Sequence, residues 1–150
     1  MNPHDTMIPA TPDLSQAAAT LAAALGCGLL IGVERERRKG EGPGRALAGL
    51  RTFALTCVTG AAAALIQING VIVAGALFVA ALGAMAYFRD RSDDPGVTTE
   101  VALLLTYLIG VMCAWSLPLA AGLAVGLTAV LFSRERMHRL ARHWLRIGRR

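Results

Sequence analysis

The amino-acid sequence predicts an all-α membrane protein, a helix bundle with five transmembrane helices. Its 150 residues are 55% hydrophobic with a mean hydropathy of +0.52, whereas soluble domains are usually about 45–50% apolar. The apolar residues also form five long blocks, and the formal charges lie outside these blocks or at their edges. A transmembrane helix needs roughly 20 residues, with a lower limit of about 17. The blocks are residues 14–33, 52–68, 71–88, 101–117 and 118–133.

The positions of the 15 Lys and Arg residues predict the topology. They fall between the first and second blocks, after the third block and after the fifth block, and nowhere else. Cytoplasmic connections hold the excess of Lys and Arg in membrane proteins. The pattern therefore predicts an N-terminus outside and a C-terminus in the cytoplasm. A re-entrant pair formed by the second and third helices keeps the same basic residues inside, so that alternative stays open.

The connections between the blocks carry turn residues in chain order. Residues 1–13 are rich in Pro and polar residues and are expected to be flexible. They lack the basic region that begins a signal peptide, so the first apolar block is expected to stay as a membrane helix. Residues 40–44 and 92–96 combine Gly and Pro and predict loops. Asn69-Gly70 predicts a tight turn between the second and third helices. Pro118 suits the first turn of the fifth helix.

The last 17 residues, 134–150, form a third segment after the flexible start and the transmembrane domain of residues 14–133. Apolar residues recur there at helical spacing among seven arginines. Basic amphipathic helices commonly lie on anionic membrane surfaces, so we expect anionic lipids as partners of this tail. Continuation of the fifth helix into the cytoplasm is the alternative. Nucleic-acid binding is not expected, because membrane topology accounts for the arginines.

Glycines four residues apart predict close helix packing at two places. Gly28 and Gly32 form one such pair, and Gly122 and Gly126 form the other. Small residues let helix backbones approach each other in lipid, where apolar burial gives no drive for association. The same faces could serve a partner helix from another membrane protein or from a second copy in a homo-oligomer, and the sequence leaves the choice open.

Charged residues at the predicted cytoplasmic ends suggest a candidate site. Glu34 and Glu36 end the first helix, where the helix dipole disfavours acids. Arg51 would begin the second helix at the same membrane level, and Glu100 lies in the first turn of the fourth helix. Two interpretations stay open: a charge belt that only sets topology, and an ordered cytoplasmic-face site. The site residues would be Glu34, Arg35, Glu36, Arg51, Thr52, Thr98, Thr99 and Glu100. Gly49 is predicted, like Gly28, Gly32, Gly122 and Gly126, to serve helix packing or a partner.

The sequence gives little support for a disulfide, a metal site, a cofactor or an enzymatic activity. The three cysteines, Cys27, Cys57 and Cys113, lie within apolar blocks and form no disulfide framework, so we expect them to be packing residues. His138 and His143 have no further ligand nearby for zinc. No metal site and no cofactor are predicted. An enzyme is not expected, because no nucleophile and base stand together.

Three motifs give the chain a family resemblance. They are GLLIGVERE at residues 28–36, AGLRT at 48–52 and GVTTE at 96–100. Together they resemble the MgtC/SapB family of bacterial inner-membrane proteins, over residues 17–133 and for the membrane domain only, without the soluble C-terminal domain of better-known members. The resemblance places the chain in the inner (plasma) membrane as a multi-pass protein. The matching signature positions are Gly28, Gly32, Glu34, Arg35, Glu36, Gly49, Leu50, Arg51, Thr52, Thr98 and Thr99.

The resemblance implies a function connected with adaptation to magnesium limitation. Members look like regulators of other membrane proteins, so we expect a non-enzymatic regulatory or accessory protein whose partners are the lipid bilayer and other membrane proteins. The alternative is a transporter or channel for magnesium or protons, formed as an oligomer. Ionisable residues inside the bilayer usually mark ion pathways, and the blocks hold none at depth. The sequence therefore favours the regulator.

Overall fold

The computed structural model describes residues 13–37, 49–89 and 98–147, with side chains for 13–37, 49–88 and 98–133. Within these residues the regular secondary structure is entirely α-helical, and the predicted five-helix fold is confirmed. The predicted loops at 40–44 and 92–96, the start of the chain before Asp13 and the tail side chains lie outside the described residues. The helices are α1 (Leu14–Arg37), α2 (Leu50–Leu65), α3 (Asn69–Arg89), α4 (Thr98–Trp115) and α5 (Leu117–Ile147).

In the described part of the chain, three helices are long and apolar enough to cross a membrane by length and composition. They are α1, α3 and α4. The helix α2 and the apolar part of α5, Leu117–Ser133, are shorter. The chain is therefore a helical membrane protein, in agreement with the predicted apolar blocks.

Two helices extend beyond their predicted apolar blocks, at places where the polar residues are good helix formers. The helix α1 continues past residue 33 to Arg37, because Glu and Arg have helix propensities close to that of Ala. The helix α5 continues without a break to Ile147. Its 31 residues span about 46 Å at 1.5 Å per residue, longer than the roughly 30 Å hydrocarbon core. The tail backbone is thus a continuation of α5 as far as Ile147, the alternative that the sequence left open.

The turn between α2 and α3 lies earlier than the Asn69-Gly70 dipeptide predicts. Asn69 is already the first residue of α3, and the turn residue is Gln67, with a φ of 60°. The N–H groups of Ile66 and Gln67 donate to the carbonyls of Ala62 and Ala64, which closes the end of α2. The carbonyl of Ile68 accepts from the first turn of α3. A non-glycine residue therefore holds the left-handed position, and the prediction of the turn at Asn69-Gly70 is wrong by two residues.

The centre of the bundle is formed by α2 and α4, and α3 lies at its edge. Among the described residues α4 contacts all four other helices, whereas α3 contacts only α2 and α4. The buried share of the apolar segment is 44% for α4 and 11% for α3, so most of α3 faces away from the bundle. The largest fully buried side chains are Tyr107, Phe53 and Ile31.

Glycines allow α2 and α4 to approach each other until their backbones are in contact. A Cβ atom on Gly60 would collide with the Tyr107 carbonyl oxygen, and one on Gly110 would collide with the Cys57 carbonyl oxygen. Each helix thus places a glycine against the other's backbone, as close helix packing in a membrane requires.

Candidate functional site

Gly28 and Gly32 bring the C-terminal end of α1, which carries candidate site residues, against α2. A Cβ atom on Gly28 would lie 2.7 Å from the Ala54 Cα atom, and one on Gly32 would lie 2.9 Å from the Leu50 carbonyl oxygen. Because both distances are shorter than a real Cβ contact, only glycine permits this separation. The close approach fixes where the residues after Gly32 lie relative to the start of α2.

Glu36 closes the N-terminus of α2. The Leu50 N–H donates a hydrogen bond of 3.0 Å to the Glu36 Oε2 atom. Gly49 is the N-cap residue of α2 and has no side chain to do this. The first N–H groups of a helix lack intrahelical partners, and a negative charge there interacts favourably with the helix dipole. An acid that is unfavourable at the end of α1 is therefore stabilised by the start of α2.

Gly49 lies close to this contact, and its backbone angles do not require glycine. Its φ of −101° and ψ of −174° are open to any residue. A Cβ atom at this position would, however, lie 3.1 Å from the Glu36 Oε2 atom, tighter than ordinary van der Waals contact. A side chain at residue 49 would thus press on the carboxylate that caps α2.

The other predicted site residues of α1 and α2 lie around this cap. Glu34 and Arg35 are half-buried, and both make interactions within the structure. Arg51 is exposed in the first turn of α2, and the half-buried Thr52 follows it. The Thr52 N–H donates to the Gly49 carbonyl. The sequence placed Arg51 at the same membrane level as the α1 acids. For Glu36 the backbone of α2 provides a partner, and a pair between Glu34 and Arg51 stays a prediction.

Glu100 lies where α4 meets α3. It sits in the first turn of α4. A Cβ atom on Gly83 of α3 would be 3.3 Å from the Glu100 Cβ atom and 3.4 Å from its Cγ atom. The Glu100 Oε2 atom is buried and has no hydrogen-bond partner among the described residues. An ionised carboxylate is costly in such a place unless a cation or a proton neutralises it.

The threonines before Glu100 begin α4. Thr98 and Thr99 are half-buried, and Thr98 makes an interaction within the structure. The candidate residues therefore separate into a cap where α1 meets α2 and a carboxylate between α4 and α3. Within the described residues, no group of three His, Cys, Asp or Glu side chains is arranged to hold a metal ion.

The second glycine pair has a different environment from the first. Gly122 and Gly126 are exposed on α5, and a Cβ atom on either would meet nothing within 4 Å in the described part of the chain. The two GxxxG pairs are alike in sequence, but only Gly28 and Gly32 pack within the bundle. The face of α5 that carries Gly122 and Gly126 is open.

Two features of the bundle were not predicted from the sequence. The Tyr107 hydroxyl donates a hydrogen bond of 2.9 Å to the Ile72 carbonyl, which joins α4 to α3. Gly75 makes room for this ring, because a Cβ atom there would collide with the hydroxyl. A tyrosine in an apolar block is the only local signal of such a bond, since a buried Tyr hydroxyl usually finds a partner.

Comparison with known proteins identifies the family. The MgtC family model matches residues 21–140, most of the chain. The chain belongs to the MgtC family. Its matched region includes the whole of α2, α3 and α4, most of α1 and α5, and all of the candidate residues described above. No curated protein and no solved structure matches this MgtC family member.

Proposed function

We propose that this MgtC family member is a non-enzymatic regulatory or accessory protein of the bacterial inner membrane, which acts by binding other membrane proteins. The proposal includes five membrane crossings and a cytoplasmic continuation of α5, whose first arginines would meet anionic lipid headgroups where the helix leaves the membrane. Family membership supports a connection with magnesium, and adaptation to magnesium limitation is the proposed setting.

The open glycine face of α5 is the observation that carries the proposal. Gly122 and Gly126 present backbone to the outside of the bundle. In lipid, a partner helix gains close van der Waals contact at such a face. The neighbouring exposed side chains Leu119 and Leu123 are apolar and suit either lipid or a helix.

In this proposal the charged end of the bundle has a structural role. Glu36 is engaged in closing α2, and the glycines around it hold α1 against α2. These residues give the bundle a fixed end, and the glycine face of α5 is the proposed contact for a partner helix.

A photo-crosslinking amino acid at position 122, in native membranes, tests the proposal. We expect a discrete adduct with another membrane protein. The adduct should disappear when Gly126 is changed to Ile, because a branched side chain blocks close approach of a partner helix. The same probe at Phe78, which is exposed on α3, is the matched control. Equal adducts from both positions, adducts with the chain itself only, or an adduct that survives Gly126→Ile would contradict the proposal.

A cation pathway is the second candidate, and Glu100 is the observation that favours it. Its buried carboxylate oxygen has no hydrogen-bond partner in the described residues, so a cation or a proton that passes the first turn of α4 would stabilise it. The pathway would run along the interface of α3 and α4, where the Glu100 side chain packs against Gly83. This candidate requires cation flux that Glu100→Gln abolishes and Glu36→Gln does not.

A further inference from the structure

The connections from α2 to α3 and from α4 to α5 form an uncharged end of the bundle. They lie at residues 65–70 and 114–118, and neither contains Asp, Glu, Lys or Arg. The side chains of Ile66, Ile68 and Trp115 are exposed there. The opposite, charged end is where α1 meets α2 and where α4 begins, and it carries the acids and arginines described above. The two ends therefore suit different surroundings.

Contacts along the helices place both connections at one level. The Tyr107 hydroxyl donates to the Ile72 carbonyl, and Glu100 packs against Gly83. Residue numbers thus rise along α3 as they fall along α4, so the two helices are antiparallel. The turn before α3 consequently lies beside the end of α4, where Trp115 is.

The helices that join the two ends are short for a bilayer. The helix α2 has 16 residues, which span about 24 Å. From Glu100 to Trp115, α4 rises about 22 Å, and the apolar part of α5, Leu117–Ser133, is also one of the shorter apolar helices. The hydrocarbon core of a bilayer is roughly 30 Å thick. A tilt would shorten these spans further, so about 6 Å or more of the core is not covered.

The uncharged end can lie in lipid at a lower cost than the charged end. At the charged end, the exposed side chain of Arg51 would enter hydrocarbon, which is unfavourable for a charge. At the uncharged end, the exposed Ile66, Ile68 and Trp115 side chains suit lipid. The N–H groups of Ile66 and Gln67 donate to carbonyls of α2, which lowers the cost of placing this turn below the membrane surface.

We propose that the uncharged end is submerged in the outer leaflet, below the level of the unperturbed headgroups, and that this leaflet thins around it. The partner is phospholipid, whose acyl chains contact Ile66, Ile68 and Trp115. The exposed Gln67 and Asn69 side chains donate hydrogen bonds to the ester carbonyls that the thinning brings to their level. The proposal rests on the five membrane crossings proposed above, and it adds that the mismatch in thickness falls on one end.

Tryptophan fluorescence in vesicles of lipids brominated at three depths of the acyl chain measures where each end lies. The full-length protein carries Trp115→Phe and Trp144→Phe, with one new tryptophan from Ile68→Trp or Leu82→Trp. Both positions are exposed, and Leu82 is at the charged end, beside the glycine that Glu100 contacts. We expect the tryptophan at residue 68 to lie closer to the bilayer centre than the one at residue 82, by about 4 Å or more.

Two controls accompany this comparison. In vesicles of short-chain lipid the core is thinner and matches the helices, so the two depths should become equal. Trp144→Phe alone keeps Trp115 as a second reporter at the uncharged end, and it should be as deep as the tryptophan from Ile68→Trp even if the triple variants fail to fold. Equal depths in lipid of ordinary chain length, a deeper tryptophan at residue 82, or a shallow Trp115 would overturn the proposal.

A fused reporter distinguishes this proposal from the crossings on which it rests. The reporter is an enzyme at the N-terminus that is active only outside the inner membrane. An active reporter with a shallow tryptophan at residue 68 would overturn the submerged end and leave the crossings in place. An inactive reporter would overturn the proposed crossings, and with them the assignment to the outer leaflet.

Discussion

Replacing Gly28 with Ala tests the close packing of α1 on α2. The added methyl group would lie 2.7 Å from the Ala54 Cα atom, 2.8 Å from the Phe53 carbonyl oxygen and 2.9 Å from the Cys57 Cβ atom. Two of these three atoms belong to the backbone of α2, so no side-chain rotation can relieve the overlap. The two helices must move apart.

The size of the effect follows from the distances. Non-bonded carbon atoms are most favourable at about 3.5–4.0 Å, so α1 must move by roughly 1 Å at this level. Overpacking of this kind typically costs about 1–3 kcal/mol. Ala also has a better helix propensity than Gly, by up to about 1 kcal/mol. We therefore expect Gly28→Ala to lower the free energy of unfolding by about 1–2 kcal/mol in total.

Gly26→Ala is the matched control in the same helix. A Cβ atom there meets nothing within 4 Å in the described residues, so only the helix propensity changes, and this variant should be equal to or slightly more stable than the wild type. Unfolding of both purified variants by sodium dodecyl sulfate in mixed micelles, followed by circular dichroism, gives the comparison. If Gly28→Ala unfolds at the same point as Gly26→Ala, the packing of α1 on α2 is not as described.

Three further substitutions test other contacts with the same unfolding assay. Glu36→Ala removes the cap on the Leu50 N–H and should destabilise the bundle by about 1 kcal/mol; an unchanged unfolding point would show that the cap contributes nothing. Tyr107→Phe removes the bond to the Ile72 carbonyl and should cost about 1 kcal/mol, and stability equal to wild type would argue against that bond. Gln67→Gly should stabilise the protein by about 1 kcal/mol, because a non-glycine residue is strained at a φ of 60°; a destabilised Gln67→Gly would contradict the left-handed turn.

The five helices could be predicted because the apolar interior of a bilayer imposes the same requirement on every segment that crosses it. Backbone groups in a bilayer must be satisfied inside each helix, so long apolar blocks separated by charged or turn residues are sufficient evidence for the elements. The end of α1 was less predictable, because Glu34 to Arg37 continue the helix beyond the apolar block. Gln67 was missed because its side chain carries no strong turn signal, whereas Asn69-Gly70 does.

The candidate site was only partly predictable, because its contacts join distant parts of the chain. The spacing of Gly122 and Gly126 is the same as that of Gly28 and Gly32, and only the position of α2 distinguishes a packed pair from an open one. The cap on α2 depends on the approach of Glu36 to residues fourteen positions later.

Cation flux through liposomes that contain the purified protein is the most direct test of the central claim, that the chain is an accessory protein and not a transporter. The liposomes would be loaded with magnesium-sensitive and pH-sensitive dyes, with Glu100→Gln and Glu36→Gln reconstituted alongside and folding checked by circular dichroism. We expect no magnesium or proton flux above empty liposomes. Flux in the wild type and in Glu36→Gln that is lost in Glu100→Gln would contradict it, and would make the carboxylate between α3 and α4 the centre of a transport pathway.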